Sequence, residues 1–564
     1  MTMIYDASDY LDLQQVYDLC EALGRQHPQW VEVQTLGQAF ALRPIQAVVL
    51  GHRDDMRDVR PTLWIDAGTH ASEWTSVSAA MFMLATWGQG LESQDESLMD
   101  WLRTHTIVVV PCVSPDGYHA MRRGDPFLRS SLRPPKPGTV RSGLEPMDVD
   151  GDGQIRWMRW KHPAGPFVAD EDSGPLAMRP RTLDDDPQQA YYVTTEGQFI
   201  QWDGHAWVSA PRQYGLDLNR NFPAYWAPMS MFGMDSGSYP LSAPESRVLM
   251  DAFAARASIG AALTLHTYTG CILTQPYRQD TPLPTSDVLM IQALAQDLVR
   301  DTGYKTFKVF PEFMYDPKRP VGGVWAETIS TVFGVPGYTV EFWDPYGHAG
   351  VEIDRPAEFF LQPDYERIKP LLKLFSEPDY DPMPWETFEH PQLGEVEIGG
   401  IDYLRTVRNP PPALLRKECE HGMTMARRIM RALPTVQAHV EVELLDEADL
   451  YEVKLVLQNH GYLSTSGLAY AEQINAAPPM SVQWQLPEGA TLVRGQTLEA
   501  LPHIDGWGAS RAGAASHSIY PSLPGRAQRV SASIVIRGEG MVQCDVSCGR
   551  AGRMITQAQV GAGV

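Results

Sequence analysis

The feature that most constrains this chain is a set of short apolar runs that end in chemistry-bearing residues. "PTLWIDAG" (61–68), "HTIVVVPCVSPDG" (105–117), "GAALTLHTYTG" (260–270) and "PGYTVEFWD" (336–344) are apolar nearly throughout, and each stops at a turn. Strands without polar alternation are buried on both faces. Between them lie helical pieces such as "TSVSAAMFMLATWG" (75–88) and a segment near 286–302. That alternation predicts an α/β domain with a largely buried sheet.

At 564 residues the chain exceeds one ordinary core, so two or three domains are expected. Residues 134–213 break the alternation. They are rich in Pro, Gly and Asp with scattered Trp and Tyr, and read as a long insertion. After Pro434 the character changes. "AHVEVELLDEADLYEVKLVLQNHG", "MSVQWQL" and "QRVSASIVIRG" alternate apolar and polar residues between turn signals. This predicts an all-β sandwich over 436–564, behind an α/β domain over 1–435.

Charge excludes some partners. The 69 acidic against 46 basic residues give a net −23, which argues against nucleic acid or an anionic membrane. No run has the length of a membrane span. The N-terminus lacks a basic start followed by an apolar stretch, so a cytoplasmic setting is the expectation. The six cysteines (20, 112, 271, 419, 544 and 548) are expected to be reduced thiols.

"GTHASEWTS" places His70 and Glu73 three apart just after a buried strand. Both residue types bind zinc at neutral pH, and this spacing lets them meet one ion from a single turn. A capped helix start explains the pair equally well. His266, ending another apolar run, is a candidate third ligand. "GLDLNRNFP" sets Asn219 beside Arg220, an amide and a guanidinium suited to clamp a carboxylate, or simply a surface ion pair. Glu341 stands in an apolar strand, where a carboxylate is costly unless paired, ligated or used.

Taken in order, these pieces resemble the zinc carboxypeptidase family, of the carboxypeptidase A/B type, over most of residues 10–400. "GTHASEWTS" is similar to the segment carrying two zinc ligands, "SPDGYHAMRRGDPFLRSS" to the Pro-Asp-Gly segment, and "DLNRNF" to the carboxylate-anchoring segment. "GSYPLSAPES", "LHTYTG" and "YTVEF" follow in the family's order. The resemblance implies a mixed central β-sheet flanked by helices, and one catalytic zinc held by His70, Glu73 and His266. It implies Glu341 as general base and Arg129 as the catalytic arginine. Asn219, Arg220 and Tyr268 would contact the substrate, the C-terminus of a peptide or protein. The activity implied is hydrolysis of the C-terminal peptide bond. Alternatives are a related zinc amide hydrolase acting on isopeptide-linked or cell-wall peptides, or an inactive peptide-binding homologue.

Two regions depart from the family pattern. Aligning Gly322–Gly323 on the family's glycine pair puts Lys318 where a mobile tyrosine stands, with Tyr315 three residues earlier as its substitute. Trp325 and Glu327 are both candidates to line the specificity pocket, with opposite preferences. Within the insertion, "MDVDGDGQIRW" aligns Asp148, Asp150 and Asp152 as the first half of a calcium loop. Arg159 stands where a bidentate Glu is expected, so Asp170 or Glu171 would have to complete the shell.

Overall fold

The four apolar runs form the middle of an eight-stranded mixed sheet. Its strands are β1 (Val31–Gln38), β2 (Pro44–Leu50), β3 (Thr62–Asp66), β4 (Thr106–Val110), β5 (Ile259–Thr267), β6 (Cys271–Thr274), β7 (Lys305–Lys308) and β8 (Gly337–Phe342), in the order β1-β2-β4-β3-β5-β8-β6-β7. The central strands β4, β3, β5 and β8 are parallel, whereas β2–β4 and β8–β6 pair antiparallel. Strands β3, β4 and β5 are buried at every residue, the physical reason their sequences show no polar alternation. This computed structural model describes residues 5–561, apart from 126, 135–137, 139, 212–214, 232–233, 317–319, 362, 448 and 512–527.

Helices cover both faces, as expected. On one side Leu63, Ile65, Val109 and Leu263 join a core with the helices Leu13–Gln26, Trp74–Glu92, Thr285–Val299 and Pro412–Met430. On the other, Trp64, Val108 and Ala262 pack with Leu249 and Phe253 of the helix Pro244–Ala254 and Ile329 of Trp325–Val332. Successive residues of one strand thus feed opposite cores, the period-two consequence of the pleat. Among the described residues, no helix is long and apolar enough to cross a membrane.

The insertion is more ordered than its composition suggests. Trp157–Lys161, Phe167–Ala169, Met178–Pro180 and Tyr191–Thr195 join Met383–His390 and Gly394–Gly400 in a six-stranded sheet. Met158, Phe199, Val396 and Ile398 form its core.

From Val436 onward two four-stranded antiparallel sheets enclose a core that includes Val453, Leu455, Trp484, Ile534 and Val546. Cys544 and Cys548 lie buried in this core, and all six cysteines are free. The sandwich is locked to the α/β part by Arg550. Its guanidinium donates to Ala257 O (3.0 Å), Ile259 O (2.9 Å) and Phe333 O (2.5 Å) on one side, and to Ser466 O (2.9 Å) and Ala476 O (3.1 Å) on the other. Tyr462, beside the exposed His460, is buried in the α/β core and donates to Met290 O at 3.2 Å.

Candidate metal centre and active-site cleft

In parallel sheets the carboxyl ends of the strands are where chain direction brings loops together. Here β3, β5 and β8 deliver the chemistry to that edge. After β3 the backbone turns at Gly68 (φ +66°), where a Cβ would lie 3.0 Å from Val77 and 3.1 Å from the Cys112 backbone. Gly68 N then donates to Ser76 Oγ at 3.1 Å, and Ser76 Oγ donates to Glu73 O at 2.6 Å. This tight turn swings His70 and Glu73 onto one side, at the mouth of the helix Trp74–Glu92.

His266 meets them from the end of β5. Glu73 Oε1 is 2.8 Å from His70 Nδ1, Glu73 Oε2 is 2.9 Å from His266 Nδ1, and the two Nδ1 atoms are 3.2 Å apart. The three side chains are 3%, 2% and 1% exposed, in chain order. Their ligand atoms all lie within 4.8 Å of one another. Two imidazole nitrogens and a carboxylate converging on one point, away from water, are a donor set that could hold one zinc ion. Burial would raise Glu73, but His70, Arg408 and His266 together hold its carboxyl well below the usual range.

An outer layer orients these groups. Asp217 Oδ1 lies 3.2 Å from His70 Nε2, and Asp217 Oδ2 accepts from Arg129 Nε at 2.9 Å. Asp217 is itself fully buried; Arg129, Arg220 and His70 outweigh that burial and keep it ionised. A carboxylate behind a ligating imidazole fixes its tautomer and ring plane. Asp217 belongs to the quoted "DLNRNF" segment, yet its role shows only in three dimensions. Arg129 is held as a cation by Asp217 and Glu73 in spite of its burial.

Glu341 sits directly across from His266 in the β5–β8 ladder. Burial, and then the nearby Glu73, push its carboxyl up to about 7. Glu341, Arg129, Tyr268 and Tyr315 line a cavity of about 230 Å³ together with Glu73 and Arg408. Asn219 and Arg220 lie buried alongside it. Asn219 Oδ1 accepts from Trp325 N at 2.9 Å, and Arg220 Nη1 donates to Asn219 O at 2.7 Å. The Gly322–Gly323 pair permits this packing, since a Cβ on Gly323 (φ +70°) would stand 2.2 Å from Arg220 O. Tyr315 is close enough to Arg129, Arg220 and Arg408 to feel all three charges, although burial dominates and raises its hydroxyl. Lys318 lies outside the described residues.

Trp325, Glu327 and the acidic loop have surroundings that local sequence left open. Trp325 is a core residue: its indole donates to Asp66 Oδ2 at 2.9 Å and packs against Phe222 and Phe253. Glu327 is the buried carboxyl of that pair, pushed up to about 8 by burial. In the insertion, Asp148 and Asp150 converge with Glu196. Asp152 is turned away by Arg156, whose Nε is 2.9 Å from Asp152 Oδ2, so it does not complete the acidic group. Asp170 is engaged elsewhere, by Ser173 (2.7 Å) and Tyr365 (2.8 Å), and Arg159 pairs with Glu397 at 3.0 Å. Glu196 accepts main-chain N–H groups of Val149 (2.5 Å) and Arg156 (3.0 Å), so the loop is closed by its own backbone.

Comparison with known proteins gives the family. A model of the family described as zinc carboxypeptidase matches residues 16–365, well over half of the chain, and a domain of unknown function (DUF8731) matches 436–559. A zinc carboxypeptidase of Simulium vittatum is 23% identical over 149 residues, covering 26% of this chain and 45% of the relative. Carboxypeptidase A2 of Mus musculus is 25% identical over 137 residues, 24% of this chain and 31% of the relative. The inactive metallocarboxypeptidase ECM14 of Saccharomyces cerevisiae is 31% identical over 115 residues, 20% and 26% respectively. The chain thus spans less than half the length of each of these relatives. Among solved structures, thrombin activatable fibrinolysis inhibitor superposes with a TM-score of 0.45 at 13% identity, over 75% of this chain and 74% of that one. On the family match over residues 16–365, this chain belongs to the zinc carboxypeptidase family.

Proposed function

We propose that the chain is an active zinc metallocarboxypeptidase that hydrolyses the C-terminal peptide bond of peptides or proteins. The observation that carries the reading is the meeting of His70, Glu73 and His266 at one point, with Glu341 across the ladder and Arg129 in the same cavity. Zinc bound there would supply Lewis acidity to the attacking water and to the scissile carbonyl. Glu341 takes the proton of that water and passes it to the leaving amine. Arg129, held by Asp217, is aimed at the oxygen on which charge develops. Asn219 and Arg220 hold the terminal carboxylate and so choose the bond. Tyr268 and Tyr315 contact the substrate from the cavity wall. Residues 436–564 act as an accessory domain and supply no zinc ligand, base or oxyanion group.

The inactive-homologue reading is disfavoured because both Glu341 and Arg129 are retained beside a complete ligand set. Two experiments test the proposal. Purified protein should contain about one zinc per chain, and His266→Ala should lose most of it, since two ligands rarely hold the ion. Full zinc occupancy in that variant would show the ligand assignment to be mistaken. The second compares peptides with free and amidated C-termini. A strong preference for the free carboxylate is expected, and Arg220→Ala should erase it. Equal cleavage by the native protein would favour the isopeptide or amide hydrolase reading over the carboxypeptidase one.

A further inference from the structure

One wall of the cleft comes from outside the family match, which ends at 365. It is the π-helical turn Leu404–Arg408 with its neighbours Tyr403 and Asn409. Asn409 pins this turn to the metal centre. Its Nδ2 donates to Ser72 O and Leu404 O, each at 2.9 Å, and its Oδ1 accepts from Thr75 N at 3.0 Å. On one flank Thr406 O accepts from Trp343 Nε1 at 2.8 Å, and on the other Pro410 O accepts from the Tyr10 hydroxyl at 2.6 Å. A turn fixed on both sides delivers Arg408 to one place.

The Arg408 side chain is only 11% exposed, and Nη2 is 2.5 Å from Glu73 Oε1. The guanidinium carbon lies 5.3 Å from the centre of the Tyr268 ring, and Nε is buried with no hydrogen-bond partner among the described residues. Nearby Arg129 and Arg133 pair with Asp217 and Glu245, carboxylates outside the three converging groups. Glu73 is already shared between His70 and His266. A divalent cation drawn to those ligands takes the same carboxylate. Arg408 then keeps the more distant Glu341, the other carboxylate of the cavity, and a buried guanidinium compensated only at that range is costly. An anion arriving with the substrate removes that cost.

The position of the turn says which part of the substrate brings the anion. Asn219 and Arg220 do not line the 230 Å³ cavity, whereas Arg408 and Tyr403 do. Tyr403 also lines an adjoining chamber of about 650 Å³, walled on its far side by Arg141, Leu144 and Thr194 of the insertion. A chain whose terminal carboxylate lies at Arg220 therefore leaves past Arg408.

We propose that Arg408 docks a carboxylate on the acyl side of the scissile bond. The cleft then selects substrates with a second anion one residue from the cut. That anion is either the acidic side chain of the penultimate residue or the free α-carboxylate of a residue linked through its side chain. This rests on the hydrolase reading above and names its substrate class.

The test uses the zinc-loaded Glu341→Gln protein and calorimetric binding of three N-acylated or free dipeptides, with α-linked Glu, α-linked Gln or γ-linked Glu ahead of a common C-terminal residue. At least one Glu peptide should bind about tenfold or more tightly than the Gln peptide. Adding Arg408→Met should bring that ratio to about one, and Arg408→Lys should restore part of it. The better Glu isomer identifies the source of the carboxylate. Because the readout is a ratio within one protein, a change in folding or zinc content leaves it interpretable. Equal binding of Glu and Gln peptides before any Arg408 change would overturn the proposal, as would a preference that survives Arg408→Met. Failure of all three to bind would overturn it too. If discrimination is found but the native protein hydrolyses none of the peptides, the docking stands and the hydrolase reading falls.

Discussion

Glu341→Gln is expected to keep its zinc and its fold while losing on the order of 10²- to 10⁴-fold in kcat. The substitution is isosteric, and Glu341 is not one of the three converging ligands. What it removes is the one group placed across from His266 that can accept a proton at neutral pH. The pH profile supplies a second readout. Burial and Glu73 raise the Glu341 carboxyl to about 7, and a bound cation favours the ionised form and moves it down. The base works when deprotonated, so kcat/KM should rise with pH through a limb below about 7. That limb should vanish in the variant. Retention of the limb, or of a rate within tenfold of native, would assign the proton transfer to another group.

Arg550→Met should destabilise the folded protein by on the order of 3–5 kcal/mol. Burial alone depresses its guanidinium to about 10, and its hydrogen-bond partners among the described residues are all carbonyls, three of them from the α/β part. Methionine fills much of the volume but leaves those oxygens in a dry interior without donors, each at a cost of about 1–3 kcal/mol. Part of that loss is offset because no charge has to be buried. Arg550→Lys should recover only a fraction, since an ammonium offers three donors in place of the guanidinium's planar five. Denaturant unfolding measures the loss, and kcat per folded molecule is the control. A variant within about 0.5 kcal/mol of native would mean that water replaces the guanidinium without penalty. Cutting the chain after Pro434 removes the same donors, so Ala257, Ile259 and Phe333 would lose them together.

Much of the candidate site was legible because its residues sit where strand pattern and motif coincide. His70, Glu73, His266 and Glu341 each follow or end an apolar run, so burial and chemistry point the same way. Other parts depend on long-range pairing that local sequence does not encode. The strands of the insertion find partners at 383–400, some 200 residues downstream in the chain. Arg408 and Asn409 lie in "TVRNPPP", with no motif and no periodicity to mark them. Trp325 was readable as a pocket residue only while its indole lacked an acceptor; Asp66 supplies one from β3. Asp152 illustrates a shorter-range failure. The alternating aspartates suggested convergence, but Arg156 four residues on captures the third of them.

The pairing of His266 with Glu341 on adjacent parallel strands makes the hydrogen-bonded ladder a ruler between the proposed ligand and the proposed base. Neighbouring strands are held about 4.8 Å apart by backbone bonds alone. No side-chain change elsewhere resets that interval. A single-residue insertion within β8, by contrast, would turn Glu341 to the opposite core in one step. The walls made by 403–409 and by the insertion are held instead by side-chain bonds such as those of Asn409 and by a separate sheet, outside that ladder. On the hydrolase reading, substitutions in those walls would change which substrate is taken while the ladder keeps the reacting groups in place, so engineering of selectivity should begin there.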